Sequence, residues 1–223
     1  MKREVDLNEI SDGKLYGPND MVKADCGDCK DCFACCQGMG ESIVLDPHDV
    51  HRLTKGLNMS FEALLDGKIE LNVYDGMILP NLKMTGTKET CAFLNQEGRC
   101  SIHNIRPGIC RLFPLGRVYD SNGFKYFLQV HECKNQNRTK VKVKKWIDTP
   151  DLKQNEKLVL AWHDFVTDIQ NRMMTIKDDT LFKKVNMFLL EQFYMERYHE
   201  EDFYKQFEER LEKAKTVIEM LLH

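Results

Sequence analysis

Cys26-Gly-Asp-Cys29-Lys-Asp-Cys32-Phe-Ala-Cys35-Cys36 places five cysteines within eleven residues. The chain holds nine cysteines in 223 residues. Chance spacing does not produce such a run, and burial of thiols as small hydrophobes does not require it. A C-x2-C turn folds back so that two sulfurs converge on one ion. Here that unit overlaps itself, and the run reads as metal ligation. Adjacent side chains such as those of Cys35 and Cys36 diverge unless the backbone is contorted. The pair is therefore expected to reach different metals, or to include one non-ligand, which argues for a multi-metal site or a cluster over a lone zinc.

Working outward, a second group follows at Cys91, Cys100, Cys110 and Cys133. Residues 91–100 read as two short apolar strands around a polar turn, a hairpin that would bring Cys91 and Cys100 together. Cys110 follows Arg106-Pro107, where proline breaks a preceding helix and leaves a rigid loop, and precedes Arg111-Leu-Phe-Pro114. Arg106 and Arg111 either offset the charge of a thiolate-rich site and donate to sulfur or make ordinary surface pairs. His48, His51, His103 and His131 are possible extra ligands, although a lone histidine more often has a surface or hydrogen-bonding role. Zinc and iron–sulfur both accept all-thiolate sites, and the surplus of thiolates favours iron–sulfur. The subset Cys26, Cys29, Cys32, Cys36 copies a bacterial ferredoxin run, but Gln37 replaces its following proline and no second run exists.

The whole chain is 42% hydrophobic and 30% charged, enough for one well-packed core or two small ones. A net charge of −3 gives no global nucleic-acid signature. No apolar run approaches the roughly 20 residues of a membrane span, and the polar start MKREVDLNEI has no signal-peptide core. A cytoplasmic protein is expected, and nine thiols in a reducing compartment are not a disulfide framework.

All 13 glycines lie at or before Gly123, all cysteines at or before Cys133, and the last proline is Pro150. The expected division is an N-terminal arm (1–20), a cysteine-cluster metal-binding domain (21–133), a basic linker or edge strand (134–150) and a C-terminal helical unit (151–223). Residues 134–145 carry Lys134, Arg138, Lys140, Lys142, Lys144 and Lys145 without an acid; a lysine-bearing edge strand is preferred to a nucleic-acid footprint. Within 151–223, Leu158, Trp162, Phe165, Ile169 and Met173 form one helical stripe, and Phe203, Phe207, Leu211, Ala214, Ile218 and Leu221 another. Leu181, Phe182, Val185, Phe188, Leu189 and Phe193 form a third behind Asp178 and Asp179 as N-cap residues. Asp46-Pro47 opens a helix with Val50, Leu53 and Leu57 on one face, and Ser60 caps the next. Strands are expected at Ser42–Leu45, Ile69–Tyr74, Arg117–Tyr119 and Phe124–Val130, the last two joined across Ser121-Asn122-Gly123. The fold class is α-rich α+β: a metal-nucleated domain with short strands plus C-terminal helices.

Cys29-x2-Cys32-x2-Cys35-Cys36, Ile43-Val-Leu45, Asp49, Arg52-Leu53, Cys91-x-Phe93-Leu94, Gly98-x-Cys100-Ser-Ile102 and Arg106-Pro107-x2-Cys110-Arg111-x-Phe113-Pro114 together resemble the YkgJ-type CxxCxxCC cysteine-cluster family, described as zinc- or iron-chelating. The resemblance implies Cys29, Cys32, Cys35, Cys36, Cys91, Cys100 and Cys110 as metal ligands. Cys26 is an addition to the family run, and Cys133 matches a trailing family cysteine. The domain is also similar to that of flagellin lysine N-methylases, which implies an alternative: a protein lysine methyltransferase using S-adenosylmethionine. Against that, the chain shows no G-x-G-x-x-G fingerprint and no C-x3-C-x2-C run. A structural-zinc module binding a protein partner is the third reading. Metal ions are the partners common to all three.

Overall fold

In the computed structural model, residues 6–27, 32–135, 137–199 and 202–222 are described. In chain order the elements begin with α1 (Leu7–Ile10), β1 (Met21–Asp25), a 3-10 turn (Ala34–Cys36), α2 (Pro47–Leu57) and α3 (Phe61–Leu65). There follow β2 (Ile69–Tyr74), β3 (Met77–Leu82), β4 (Met84–Thr85), β5 (Thr90–Cys91), a second 3-10 turn (His103–Ile105) and α4 (Gly108–Leu112). The rest comprises β6 (Leu115–Asp120), β7 (Gly123–Leu128), β8 (Thr139–Lys142), α5 (Val143–Ile147), α6 (Leu152–Met173), α7 (Asp179–Leu190), a π-helical turn (Glu191–Met195) and α8 (Phe203–Leu222). With 45% helix and 21% strand, the protein is α-rich α+β. Among the described residues, no helix is long and apolar enough to cross a membrane.

The chain divides into two compact units, one of residues 44–83 with 153–222, the other of residues 6–43 with 84–152. The first begins with the expected cap. The Asp46 carboxylate accepts from the Asp49 amide at 2.8 Å, and the Asp49 carboxylate accepts from the Asp46 amide at 3.3 Å. This capping box satisfies two of the amide groups that a helix start leaves unpaired. Ser60 caps α3 by accepting from the Ala63 amide at 3.2 Å, without a reciprocal bond, because N3 is alanine. β2 and β3 form an antiparallel hairpin with Tyr74 paired to Met77. Its turn residues Asp75 and Gly76 both have positive φ, 48° and 83°, as a two-residue type I′ connection requires. A Cβ at Gly76 would lie 2.9 Å from the Met173 Cβ, so glycine is needed for approach to α6 as well as for the turn.

Three helices close this unit. Trp162 meets Phe193 edge to face at a centroid distance of 4.8 Å, and Phe193 lies 6.1 Å from Phe207. Leu158, Phe165, Ile169 and Met173 on α6, and Phe207, Leu211, Ala214 and Ile218 on α8, are buried as their stripes predict. Two buried amides interrupt the apolar faces. Gln170 donates to the Tyr74 carbonyl at 3.0 Å, while Asn186 accepts from the Ile78 amide at 2.6 Å and donates to the Gly76 carbonyl at 3.1 Å. They satisfy backbone groups at the hairpin end that burial would otherwise leave unpaired.

The expected strand Ser42–Leu45 is corrected to a single bridge, Val44 to Asn81, with the Leu45 amide donating to the Pro80 carbonyl at 2.8 Å. Pro80 has no N–H to return, so the ladder stops there.

In the second unit, β6 and β7 form the expected hairpin, with Asp120 paired to Gly123. β1 pairs with β8, placing Val22 opposite Val141. Tyr16 bridges Tyr126, and Ser11 bridges Gln129, so residues from the N-terminal segment are tied to β7 and the residue that follows it. The apolar cluster is small: Tyr16, Val22, Ala24, Leu112, Leu115, Tyr126, Leu128, Val143 and Ile147. All the described cysteines belong to this unit.

Candidate metal centre

The 3-10 turn Ala34–Cys36 sets the first pair of sulfurs. Contrary to the divergence expected of adjacent residues, the Cys36 thiol is hydrogen-bonded to the Cys35 sulfur. The tight turn, closed by the Cys36 amide on the Phe33 carbonyl at 2.9 Å, supplies the backbone contortion that the pair needs. That hydrogen bond lowers Cys35 to about 7, with smaller downward contributions from a backbone hydrogen bond and the Arg106 charge, and burial opposing them. It pushes Cys36 up, with burial and the neighbouring Cys35, Cys91 and Cys100 adding to the rise.

Backbone pairing brings the distant cysteines to this turn. Gln37 bridges Thr90, and the Gly38 amide donates to the Glu89 carbonyl at 3.0 Å, so Cys36 and Cys91 flank one bridge. The 91–100 stretch turns back as expected: Leu94 bridges Cys100, and the Asn95 amide donates to the Arg99 carbonyl at 2.9 Å. Gly98 has a φ of 70° at that turn, and a Cβ there would sit 2.9 Å from the Phe33 ring. Burial raises Cys100, opposed by a backbone hydrogen bond from Ile102 and by the Arg106 charge, while Cys35 adds to the rise. Cys36 thus lies within electrostatic reach of Cys35, Cys91 and Cys100, and Cys35 within reach of Cys100.

A second association involves the chain before and after the cysteine segment. Asp25 of β1 is paired with Thr139 of β8, and the Asn135 side chain donates to the Cys26 carbonyl at 3.4 Å. The Cys133 thiol faces the Asn135 carbonyl at 4.0 Å. Burial raises Cys133; a backbone hydrogen bond from Asn135 and the Arg138 charge oppose the rise, and Cys26 and Cys32 add to it. Cys110 is half-buried on α4. Cys29 lies outside the described residues.

The two arginines beside Cys110 have different surroundings. Arg111 is buried, and its guanidinium donates to the backbone carbonyls of Arg106 at 3.2 Å, Asp148 at 2.6 Å and Asn104. These hydrogen bonds brace the loop and α5. Arg106 contacts the His103 ring at 2.6 Å and bears electrostatically on Cys35 and Cys100. Arg138 lies immediately before β8, and its charge bears on Cys133. Its position five residues after a cysteine was the only sequence signal. His48 and His51 belong to the other unit, stacked near Phe203 at 4.9 and 4.8 Å. His131 is exposed.

Among the described residues, no group of three or more His, Cys, Asp or Glu side chains is already arranged to hold one ion. The donor chemistry nevertheless fits a soft or borderline metal, because the converging donors are thiols and the neighbouring charges are guanidinium groups. Arg106 Nε, and Arg138 Nε and Nη1, are buried without a hydrogen-bond partner among the described residues. Buried N–H groups of this kind suit an anionic metal–thiolate acceptor.

A family model matches residues 28–139: CxxCxxCC, described as a "putative zinc- or iron-chelating domain". The match spans half of the chain, and the chain belongs to that family. Among curated proteins and solved structures, none matches the chain.

Proposed function

We propose that this member of the CxxCxxCC family is an intracellular metal-binding protein. Its ligands are drawn from Cys29, Cys32, Cys35, Cys36, Cys91, Cys100 and Cys110, with Cys26 and Cys133 as additional donors. The observation that carries this reading is the convergence of Cys91 and Cys100 on the Cys35-Cys36 turn across more than fifty residues of sequence. Burial alone opposes thiolate formation at Cys100 and Cys133. A bound cation reverses that balance, since a coordinating thiol is deprotonated outright. Arg106 and Arg138 offset part of the negative charge that several thiolates leave around a divalent ion. The metal-binding segment forms a domain whose small apolar cluster is supplemented by the ligand bonds.

Iron–sulfur is preferred to zinc because the adjacent Cys35-Cys36 pair and the surplus of thiolates suit a cluster better than one tetrahedral ion. Metal and sulfide analysis with an absorption spectrum after anaerobic purification tests this. Iron, acid-labile sulfide and a broad visible band are expected. A colourless protein with stoichiometric zinc and no iron overturns the iron–sulfur assignment, and a protein without bound metal overturns the metal-binding reading.

A further inference from the structure

We propose that the outer face of the β1–β8 ribbon, together with the start of α5, is a docking surface for an anionic lipid bilayer, on which the protein lies without spanning it. This goes beyond the metal-binding reading and does not depend on it.

Alternation along the strands builds the surface. On β8, Val141 packs against the apolar cluster that includes Val22, Ala24 and Val143, while Lys140 and Lys142 are exposed. On β1, Val22 and Ala24 are buried while Met21 and Lys23 are exposed. Met21 is paired with Lys142 and Val22 with Val141, so the exposed side chains of the two strands share one face. The Val143 amide donates to the Asp20 carbonyl at 3.0 Å and the Lys144 amide to the Pro18 carbonyl at 2.9 Å, which carries the chain from that face into α5. There Val143 and Ile147 are buried, and Lys144 and Lys145 are exposed.

None of Lys23, Lys140, Lys142, Lys144 and Lys145 forms an ion pair among the described residues. The carboxylates at the two ends of β1 are engaged locally: Asp20 accepts from the Gly17 amide at 2.7 Å, and Asp25 from the Gly27 amide at 3.0 Å and the Thr139 hydroxyl at 3.4 Å. Lysine protects a strand edge from unwanted pairing, but that role does not account for Lys23 on the partner strand or for Lys144 and Lys145 beyond the ribbon. Like charges on paired strands oppose folding, and an anionic surface relieves that repulsion.

The chemistry of the face selects a bilayer over a nucleic acid. Base edges are read by Arg, Asn and Gln, and single strands are held on aromatic platforms; the exposed positions that alternate outward here are lysines and Met21. Trp146, which follows Lys145, is half-buried, and its indole N–H donates to the Leu112 and Phe113 carbonyls at 3.3 and 3.1 Å. Clustered lysines are drawn to an anionic leaflet, and their apolar stems, with Met21 among them, suit the boundary between headgroups and acyl chains.

Co-sedimentation of the purified full chain with phosphatidylcholine vesicles containing about 30% phosphatidylserine is the test. Binding is expected to these vesicles and not to phosphatidylcholine alone, and it should weaken by about 10-fold or more as sodium chloride rises from about 0.05 to about 0.3 M. Lys140→Gln/Lys142→Gln should lower affinity by about 25-fold, at about 5-fold per lysine, and Lys144→Gln/Lys145→Gln gives a second, independent reading of the same face. Lys183→Gln/Lys184→Gln, the same loss of charge at exposed positions on α7, should leave binding unchanged. Met21→Ser should weaken binding without altering its salt dependence. Metal per chain and circular dichroism matching the wild type identify variants that remain folded. Absence of binding to the anionic vesicles, or an equal loss in the ribbon and α7 variants, overturns the proposal. Tighter binding to a single- or double-stranded oligonucleotide than to the vesicles at the same ionic strength also overturns it and makes the face a nucleic-acid surface. Each of these outcomes leaves the metal-binding reading intact, because metal and sulfide analysis tests that separately.

Discussion

The two units solve the same folding problem with different resources. Residues 44–83 and 153–222 bury a continuous aromatic and aliphatic core that includes Trp162, Phe165, Phe193 and Phe207, and they satisfy the hairpin end with Gln170 and Asn186. Residues 6–43 and 84–152 have two-stranded ribbons, a smaller apolar cluster and the described cysteines. Isolated ribbons are marginal in water, so this unit needs cross-links that apolar area does not provide. The contrast teaches that the placement of cysteines follows the shortage of core.

Metal removal gives the sharpest break between the units. Chelation under reducing conditions is expected to remove on the order of 10 kcal/mol of apparent folding free energy from the cysteine-bearing unit. Hydrogen exchange should then show lost protection in β1, β6, β7 and β8 while α6, α7 and α8 stay protected. Equal loss in both units would dissolve the contrast. In the opposite direction, Phe207→Ala should destabilise the helical unit by about 3–5 kcal/mol, measured by denaturant unfolding, with metal per chain unchanged.

Smaller changes sharpen the comparison. Arg111→Met removes the donors to the carbonyls of Arg106, Asn104 and Asp148 and should cost about 2–3 kcal/mol, with the same metal content at saturation. Reduced metal content at unchanged stability would instead place Arg111 in the charge balance of the sulfurs. Asp178→Ala removes the acceptor for the Thr180 and Leu181 amides and should cost about 1 kcal/mol. Its effect should appear in α7 exchange rates and not in metal binding.

Much of the local structure was legible before any coordinates. Asp46-Pro47, Ser60 and Asp178 marked helix starts because capping is a local hydrogen-bond problem, and Ile69–Tyr74 announced its strand by composition. The hairpin across Ser121-Asn122 was readable for the same reason. Asn186 and Gln170 were not recognisable as ties to the β2–β3 hairpin, since their partners lie 110 and 96 positions away. At the site, the run from Cys26 to Cys36 was conspicuous, but the hydrogen bond between the sulfurs of Cys35 and Cys36 contradicted the expected divergence. Arg111 looked like a companion to sulfur because it follows Cys110, yet backbone carbonyls surround its guanidinium.

By itself, the sequence determined the residue chemistry: a thiol-rich segment, amphipathic helices after residue 151 and the caps and turns that start and stop elements. These depend on side-chain type and short spacing, which the linear chain displays. Tertiary structure alone decided that residues 44–83 pack with the C-terminal helices, that Cys91 and Cys100 meet the Cys35-Cys36 turn, and that the Arg138 charge bears on Cys133. Those outcomes depend on which backbone edges pair and which buried polar groups need partners, conditions that exist only once distant segments are brought together.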